Sequence, residues 1–362
     1  MQKDYNILLV LVGGTICTSS TDGLRVIDDE KSVALLVKNF SDSDSKFANL
    51  VDFGKPENIK RFKTLSENMT IGKWNAIIDY LSSISFDQYN GVIFAHGTDT
   101  LAYSASLLSL YFNSIKIPVF LVASQAPLDD TMTNGNENFK YAVECICRGI
   151  PAGVYVTYQN NDGRMYLHKG AHLRQCSPYD ENFYSGSALD ISGMKISNLA
   201  FVKGNSNNES ATINIRSLLN KRTLADHVLQ LSPYVGINYE KIDTSKYKAI
   251  IHQCFHSGTV AVDTDDKEYP FSALSLIDKA DMVYFTPIPP LNEVNDQSII
   301  EIYESTDRLL RYVSPNGKKA RFIYGMTNEM SYVKLLVACS IFDDANDIEA
   351  FMRSNICGEY YY

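Results

Sequence analysis

Tyr5-Asn6-Ile7-Leu8-Leu9-Val10-Leu11-Val12-Gly13-Gly14-Thr15-Ile16 and Gly91-Val92-Ile93-Phe94-Ala95-His96-Gly97-Thr98-Asp99-Thr100 share one grammar: a short apolar run, glycine, then threonine. Runs this apolar and this short read as buried strands. In an open α/β sheet, the loops beyond the carboxyl ends of such strands form the ligand crevice. Glycine lets the loop turn sharply and brings its backbone close to a ligand. Two such loops can place two hydroxyls, Thr15 and Thr98, and one carboxylate, Asp99, around a single small molecule. A hydroxyl held this way becomes a nucleophile once something takes its proton, so the arrangement suits acyl transfer. Each loop also has a plainer reading. Gly13-Gly14 is then a simple turn with Thr15 capping or solvated, and Thr98 and Asp99 cap the helix that starts near Thr100.

Outward from these loops, the first half alternates strands with amphipathic helices, the sign of a parallel sheet covered by helices. Strands are predicted at Asn6–Val12, Gly91–Ala95, Pro118–Ala123 and Gly153–Thr157, and helices at Lys31–Asn39, Ile71–Ser83, Thr100–Asn113 and Asn136–Arg148. Trp74, Ile77, Ile78 and Leu81 recur at helical spacing and read as a core stripe. The polar tract from Lys203 to Asn208 reads as the start of a linker. Beyond it the alternation resumes on a smaller scale, with strands at Lys248–Phe255, Met282–Thr286 and Arg321–Gly325 and helices at Phe271–Lys279, Gln297–Tyr312 and Ser331–Phe342. The expected organisation is α/β: a larger N-terminal domain over 1–203 on a mostly parallel sheet flanked by helices, a linker over 204–232, and a smaller C-terminal α/β domain over 233–362.

At 362 residues, 45% of them hydrophobic, the chain has ample material for two cores. A net charge of −9 without any Lys/Arg-rich stretch argues against nucleic acid and anionic membranes as partners. The start reads as a first strand rather than a signal peptide, and no stretch is apolar for long enough to form a membrane helix. Seven cysteines, odd in number and without CxxC spacing, suit free thiols in a reducing, cytoplasmic setting. Cys17, two residues past Thr15, is a competing nucleophile or a small packed residue. His168 and His172, and likewise His252 and His256, are four apart, but neither pair has a nearby third ligand. No metal and no cofactor are expected.

Gly13-Gly14-Thr15-Ile16 followed by His96-Gly97-Thr98-Asp99-Thr100 resembles the two signature segments of the bacterial-type L-asparaginase family. The likeness continues in Ser66-Glu67-Asn68-Met69-Thr70, in Ala123-Ser124-Gln125-Ala126-Pro127-Leu128 with Asn134-Gly135 and Asn138, and in Gly325-Met326-Thr327-Asn328-Glu329 with Lys334-Leu335, which is similar to the cytoplasmic, type I branch. The resemblance implies an amidohydrolase that turns the side-chain amide of asparagine, or a related small amide, into the acid and ammonia through a threonine acyl-enzyme. Thr15 is then the nucleophile, while Thr98, Asp99 and a lysine form the family's Thr-Lys-Asp set. Lys169, after Arg164 and a strand, is the candidate base, although the residues from Lys169 to Phe183 are rearranged relative to the family pattern. Ser66 would hold the substrate α-carboxylate and Asp99 its α-ammonium, with Gly14, Glu67, Gly97 and Ser124 lining the substrate. The family also implies a homodimer or homotetramer.

Two departures bear on the substrate. The family's loop after the first threonine carries a tyrosine near the nucleophile, where Thr21-Asp22-Gly23-Leu24-Arg25 has Leu24, which can neither donate nor relay a proton. At Glu67 the family has a neutral residue. A carboxylate beside the carboxylate anchor weakens binding of a plain amino-acid amide. Two alternatives therefore stand beside asparagine hydrolysis: a modified or peptide-linked Asn or Gln amide as substrate, or a catalytically silent homologue that binds an amino acid.

Overall fold

The structure of the protein, a computed structural model, describes residues 4–192, 213–288 and 302–360. The described chain forms two compact units, one running to Lys221 and including Ile356–Gly358, the other from Arg222 to Asn355 and again from Glu359. The polar tract 203–208 lies outside the described residues. Within 213–232, the described part of the expected linker, the chain forms a short helix, Ile215–Leu219, and a strand, Val228–Leu231.

The first unit opens with β1 (Tyr5–Gly13), in which Ile7 to Gly13 are all buried, as befits a strand covered on both faces. A hairpin follows, β2 (Thr18–Thr21) and β3 (Leu24–Ile27), then α1 (Asp29–Ser41), β4 (Val51–Asp52) and β5 (Lys60–Thr64). The hairpin turns on Asp22 and Gly23, both at positive φ (49° and 78°), the two-residue geometry that matches strand twist. Next come α2 (Ile71–Ser82), β6 (Gly91–Ala95), α3 (Leu101–Tyr111), β7 (Pro118–Val122), α4 (Gly135–Cys147), β8 (Gly153–Gln159) and β9 (Met165–Lys169). Three two-residue strands, β10 (Leu173–Arg174), β11 (Tyr184–Ser185) and β12 (Leu189–Asp190), and α5 (Ile215–Leu219) complete the unit.

The main sheet runs β12-β9-β8-β7-β6-β1-β4, with β5 also on β1. From β8 to β4 and β5 every pairing is parallel, whereas β9 and β12 are antiparallel additions. The chain leaves β1 toward β4 and β5 on one side and then crosses to β6 on the other. The carboxyl ends of β1 and β6 are therefore a topological switch point, where neighbouring loops diverge and leave a crevice. On the faces, Trp74, Ile77, Ile78 and Leu81 of α2 are buried. In α3 every residue except Tyr103 is buried. Its Ser106 and Ser109 hydroxyls donate to Ala102 O and Ala105 O, and Ser104 Oγ accepts from Trp74 Nε1.

The second unit holds a four-stranded parallel sheet of β13 (Val228–Leu231), β14 (Ala249–Gln253), β15 (Val283–Ile288) and β16 (Arg321–Tyr324), in that order. Its helices are α6 (Ala273–Lys279), α7 (Glu304–Arg311), α8 (Asn328–Ile341) and α9 (Ala345–Arg353). The part of the expected Gln297–Tyr312 helix before residue 302 lies outside the described residues. The other expected elements of this half are present with no end moved by more than three residues, and β13 and α9 are additional.

Candidate active site

Three loops meet at the switch point, and they meet through glycine. Gly13 is at φ 136°, and a Cβ there would fall 1.9 Å from Thr64 O at the end of β5. Gly14 is at φ 79°, and a Cβ there would fall 2.0 Å from Gly97 Cα. A Cβ at Gly97 would lie 2.5 Å from both Cβ and Oγ of Ser66. None of these contacts leaves room for a side chain, and the first two also use backbone angles that other residues rarely adopt. The loops after β1, β5 and β6 are thus fused at backbone distance.

Hydrogen bonds fix the side chains around this junction. Ser66 Oγ donates to Asp99 Oδ2 at 2.8 Å, and Thr100 Oγ1 donates to Ser66 O at 3.0 Å. Gly14 N donates to Thr64 O at 3.0 Å. Ser66 is buried, Thr15 and Thr98 are half-buried, and Asp99 and Glu67 are exposed. Thr15 opens a single helical turn, Thr15–Cys17, whose carbonyl accepts from Thr18 Oγ1 at 2.8 Å. This leaves Thr15, the residue the sequence reading expects as nucleophile, half-buried beyond the carboxyl end of β1. Cys17 does not compete with it, because its fully buried thiol is pushed well up by burial and then by the nearby Asp29 carboxylate.

His96 is buried beneath the same loop. Its Nδ1 donates to Gly97 O at 2.8 Å, and burial lowers its pKa to about 4, with that hydrogen bond opposing. The imidazole is neutral at pH 7 and braces the Gly97 turn.

The structure does not bring every expected residue to this junction. Lys169 pairs in register with Tyr155, which aligns through Phe120 and Ile93 with Leu9, in the middle of the sheet. Thr98 lies five residues beyond Ile93, roughly 16 Å along a strand at about 3.3 Å per residue. Burial lowers the pKa of half-buried Lys169, opposed by the Cys357 thiol, and its backbone lies level with the middle of the sheet, short of the threonine loop. After it the chain turns and climbs back along α3. A Cβ at Gly170 would lie 3.2 Å from Ala105 O, and five residues later Gln175 Nε2 donates to Thr98 O at 2.8 Å. Gln175, which sequence reasoning passed over, is the side chain of this segment at the threonine loop.

Ser124 is fully buried and its hydroxyl is used inside its own loop, with Ala126 O and, at 2.8 Å, Thr133 Oγ1. It shapes the loop that follows β7 instead of facing the junction. Leu24 sits at the hairpin tip, 68% exposed, while the neighbouring Arg25 Nη1 donates to Gln125 O at 3.2 Å. His168 and His172 share no ligand direction: His168 Nδ1 lies 2.9 Å from Ser185 Oγ, and His172 lies 2.9 Å from Ser187 Oγ and 2.7 Å from Gly358 O. All seven cysteines are free, and among the described residues no helix is long and apolar enough to cross a membrane.

The chain is similar to a subunit of the glutamyl-tRNA(Gln) amidotransferase of Methanosphaera stadtmanae, 25% identical across 99% of this chain and 77% of that protein. It is 27% identical to the corresponding amidotransferase subunit of Methanobrevibacter smithii, across 98% of this chain and 77% of that one. Among solved structures, L-asparaginase I of Vibrio cholerae superposes with a TM-score of 0.65 at 20% identity, covering 98% of this chain and 99% of its own. The thermostable L-asparaginase of Thermococcus kodakarensis gives 0.64 at 19% identity with the same coverage. These two establish the likeness of fold. The family profile described as "Asparaginase, N-terminal" matches residues 6–190, more than half of the 362 and the whole stretch that carries both glycine-threonine loops, so the chain belongs to the asparaginase family.

Proposed function

We propose that the protein is an amidohydrolase that takes a small molecule bearing an Asn- or Gln-type side-chain amide and releases ammonia. The Ser66–Asp99 pair at the glycine-fused switch point carries this reading, since a hydroxyl and a carboxylate side by side suit the carboxylate and ammonium of an amino-acid head group. Thr15 Oγ then attacks the amide carbon, the C–N bond breaks, and ammonia leaves with the hydroxyl proton. Water hydrolyses the resulting ester, giving the acid and restoring Thr15. Exposed Glu67 next to Ser66 favours substrates whose head group carries an added cation or lacks a free carboxylate, such as a modified or peptide-linked residue. By family resemblance the working form is a homodimer or homotetramer. The test is ammonia release from asparagine, glutamine and their N- and C-blocked forms, with Thr15→Val as the blank. No release above that blank from any of them removes the hydrolytic reading.

Gln175 favours a second reading. A neutral amide at the threonine loop accepts no proton at neutral pH, and Leu24 brings none. In this reading the pocket binds an amide-bearing amino acid with little turnover. Saturable melting shifts without ammonia release would select it.

A further inference from the structure

In the second unit, β16 is the last strand of its sheet, and among the described residues no strand pairs with its outer rim. Helix α9 lies against it. Residues Glu349, Met352 and Arg353 of this helix, spaced three and four apart so that they share a face, look onto a cavity of about 440 Å³. Tyr284 of β15, Tyr324 of β16 and Tyr360 give the cavity an aromatic lining. A volume of this size is typical of small-molecule sites.

Two observations make it more than a gap in packing. Tyr284 is only 2% exposed, and its hydroxyl has no hydrogen-bond partner among the described residues. Buried hydroxyls are ordinarily paired, and an unmet one is a standing penalty that a ligand atom would relieve. Second, Arg321 and Arg353 both pair with Glu349, so three charged groups leave one net positive charge at the rim. The Arg321 guanidinium also lies 5.9 Å from the Tyr284 ring centre. Each guanidinium presents five N–H donors, of which the shared carboxylate takes few. A second hollow of about 510 Å³ continues along the same rim past Lys318, which pairs with Asp281 at 3.3 Å, and past Lys319, which adds one further positive charge.

We infer that this cavity is a second ligand site, for a small molecule that joins an oxyanion, carboxylate or phosphate, to a flat ring. The oxyanion meets Arg321 and Arg353, where fork-shaped donors suit it. The ring lies among the tyrosines, and one of its polar atoms completes the Tyr284 hydroxyl. The site lies wholly within the second unit and owes nothing to the threonine loops.

The experiment titrates the full chain by calorimetry with three probes: 4-hydroxyphenylacetate, adenosine 5′-monophosphate and inorganic phosphate. One ring-bearing probe should bind saturably, and which of the two does so tells carboxylate from phosphate. Arg353→Gln, at a side chain that is 78% exposed, and Tyr284→Phe should each weaken that binding tenfold or more, while Asp99→Asn in the first unit leaves it unchanged. Tyr284→Phe should melt no lower than the parent, which separates lost affinity from lost fold. The inference fails if no probe binds, if phosphate alone binds as tightly as the ring compounds, or if both second-unit variants bind like the parent.

Discussion

Ser66 Oγ donates to Asp99 Oδ2 at 2.8 Å, so one bond joins the loop after β5 to the loop after β6. Ser66→Ala removes the donor and leaves Asp99 to find another orientation. A hydrogen bond to a charged group contributes about 1.5–3 kcal/mol. The expected result is a rise of tenfold or more in KM for an active amide with kcat changed less than threefold, read from initial rates of ammonia release. An unchanged KM would take the pair out of head-group binding.

Thr15→Val keeps the shape of the side chain and removes its oxygen. Ammonia release should vanish while ligand-induced melting shifts persist and the unliganded melting temperature moves by no more than a few degrees. Substantial residual turnover would transfer the nucleophile elsewhere, with Thr98 next in line.

The glycine contacts grade by severity. Gly97 sits at φ −88°, an ordinary angle, so Gly97→Ala keeps its backbone but crowds Ser66 Cβ and Oγ at 2.5 Å and Gly14 Cα at 2.8 Å, and should lose ligand binding with a drop in melting temperature. Gly14→Ala adds a left-handed backbone to a collision with backbone atoms and should lower the melting temperature further. Thermal melts of the two variants side by side decide the order.

Lys169 and Gln175 exchange expectations. Lys169→Met should leave turnover within about threefold, because the lysine stands mid-sheet. Gln175→Lys places an amine at the threonine loop and should raise ammonia release tenfold or more, the lower end of the roughly 10² to 10⁴ supplied by a positioned acid or base. A hundredfold loss in Lys169→Met would restore that residue to the chemistry.

Acid should destabilise the fold through three imidazoles held neutral by burial: His96 and His252 lowered to about 4, and His168 to about 3. Unfolded histidine takes up its proton near pH 6.5. Between there and the folded values the unfolded chain binds more protons, so stability is complete above pH 6.5 and falls as pH drops toward 4. The slope is on the order of 1.4 kcal/mol per histidine per pH unit. Denaturant midpoints from pH 7 to 4.5 should show this decline, shallower in His252→Gln. A flat profile would mean these rings are already charged in the folded state.

What the sequence discloses follows the strength of the burial signal. β1 and β6 stand out because both faces are covered, so apolar residues run unbroken, and α2 stands out because its stripe keeps the helical period. β5, Lys60-Arg61-Phe62-Lys63-Thr64, pairs among the described residues with β1 alone and leaves polar residues outward, so its composition hides it. The β2–β3 hairpin carried a readable signal in Asp22-Gly23 that resemblance to a family loop obscured. α9, absent from the sequence expectation, also carries a readable start, with Asp344 capping Asn346 N and Asp347 N ahead of an amphipathic face. Gln175 is the least legible of these residues. Its place depends on an antiparallel strand descending the sheet and the chain returning along α3, and no local spacing encodes such a path.

The glycine-fused junction also has a kinetic meaning. Its parts come from segments centred near residues 14, 66 and 97, and they touch only when β5 and β6 have both docked on β1. Contacts between such distant segments form late, because loop closure precedes any return from them. No partly assembled sheet therefore completes the junction, and a ligand seated at Ser66 and Asp99 should slow the unfolding of the whole first unit.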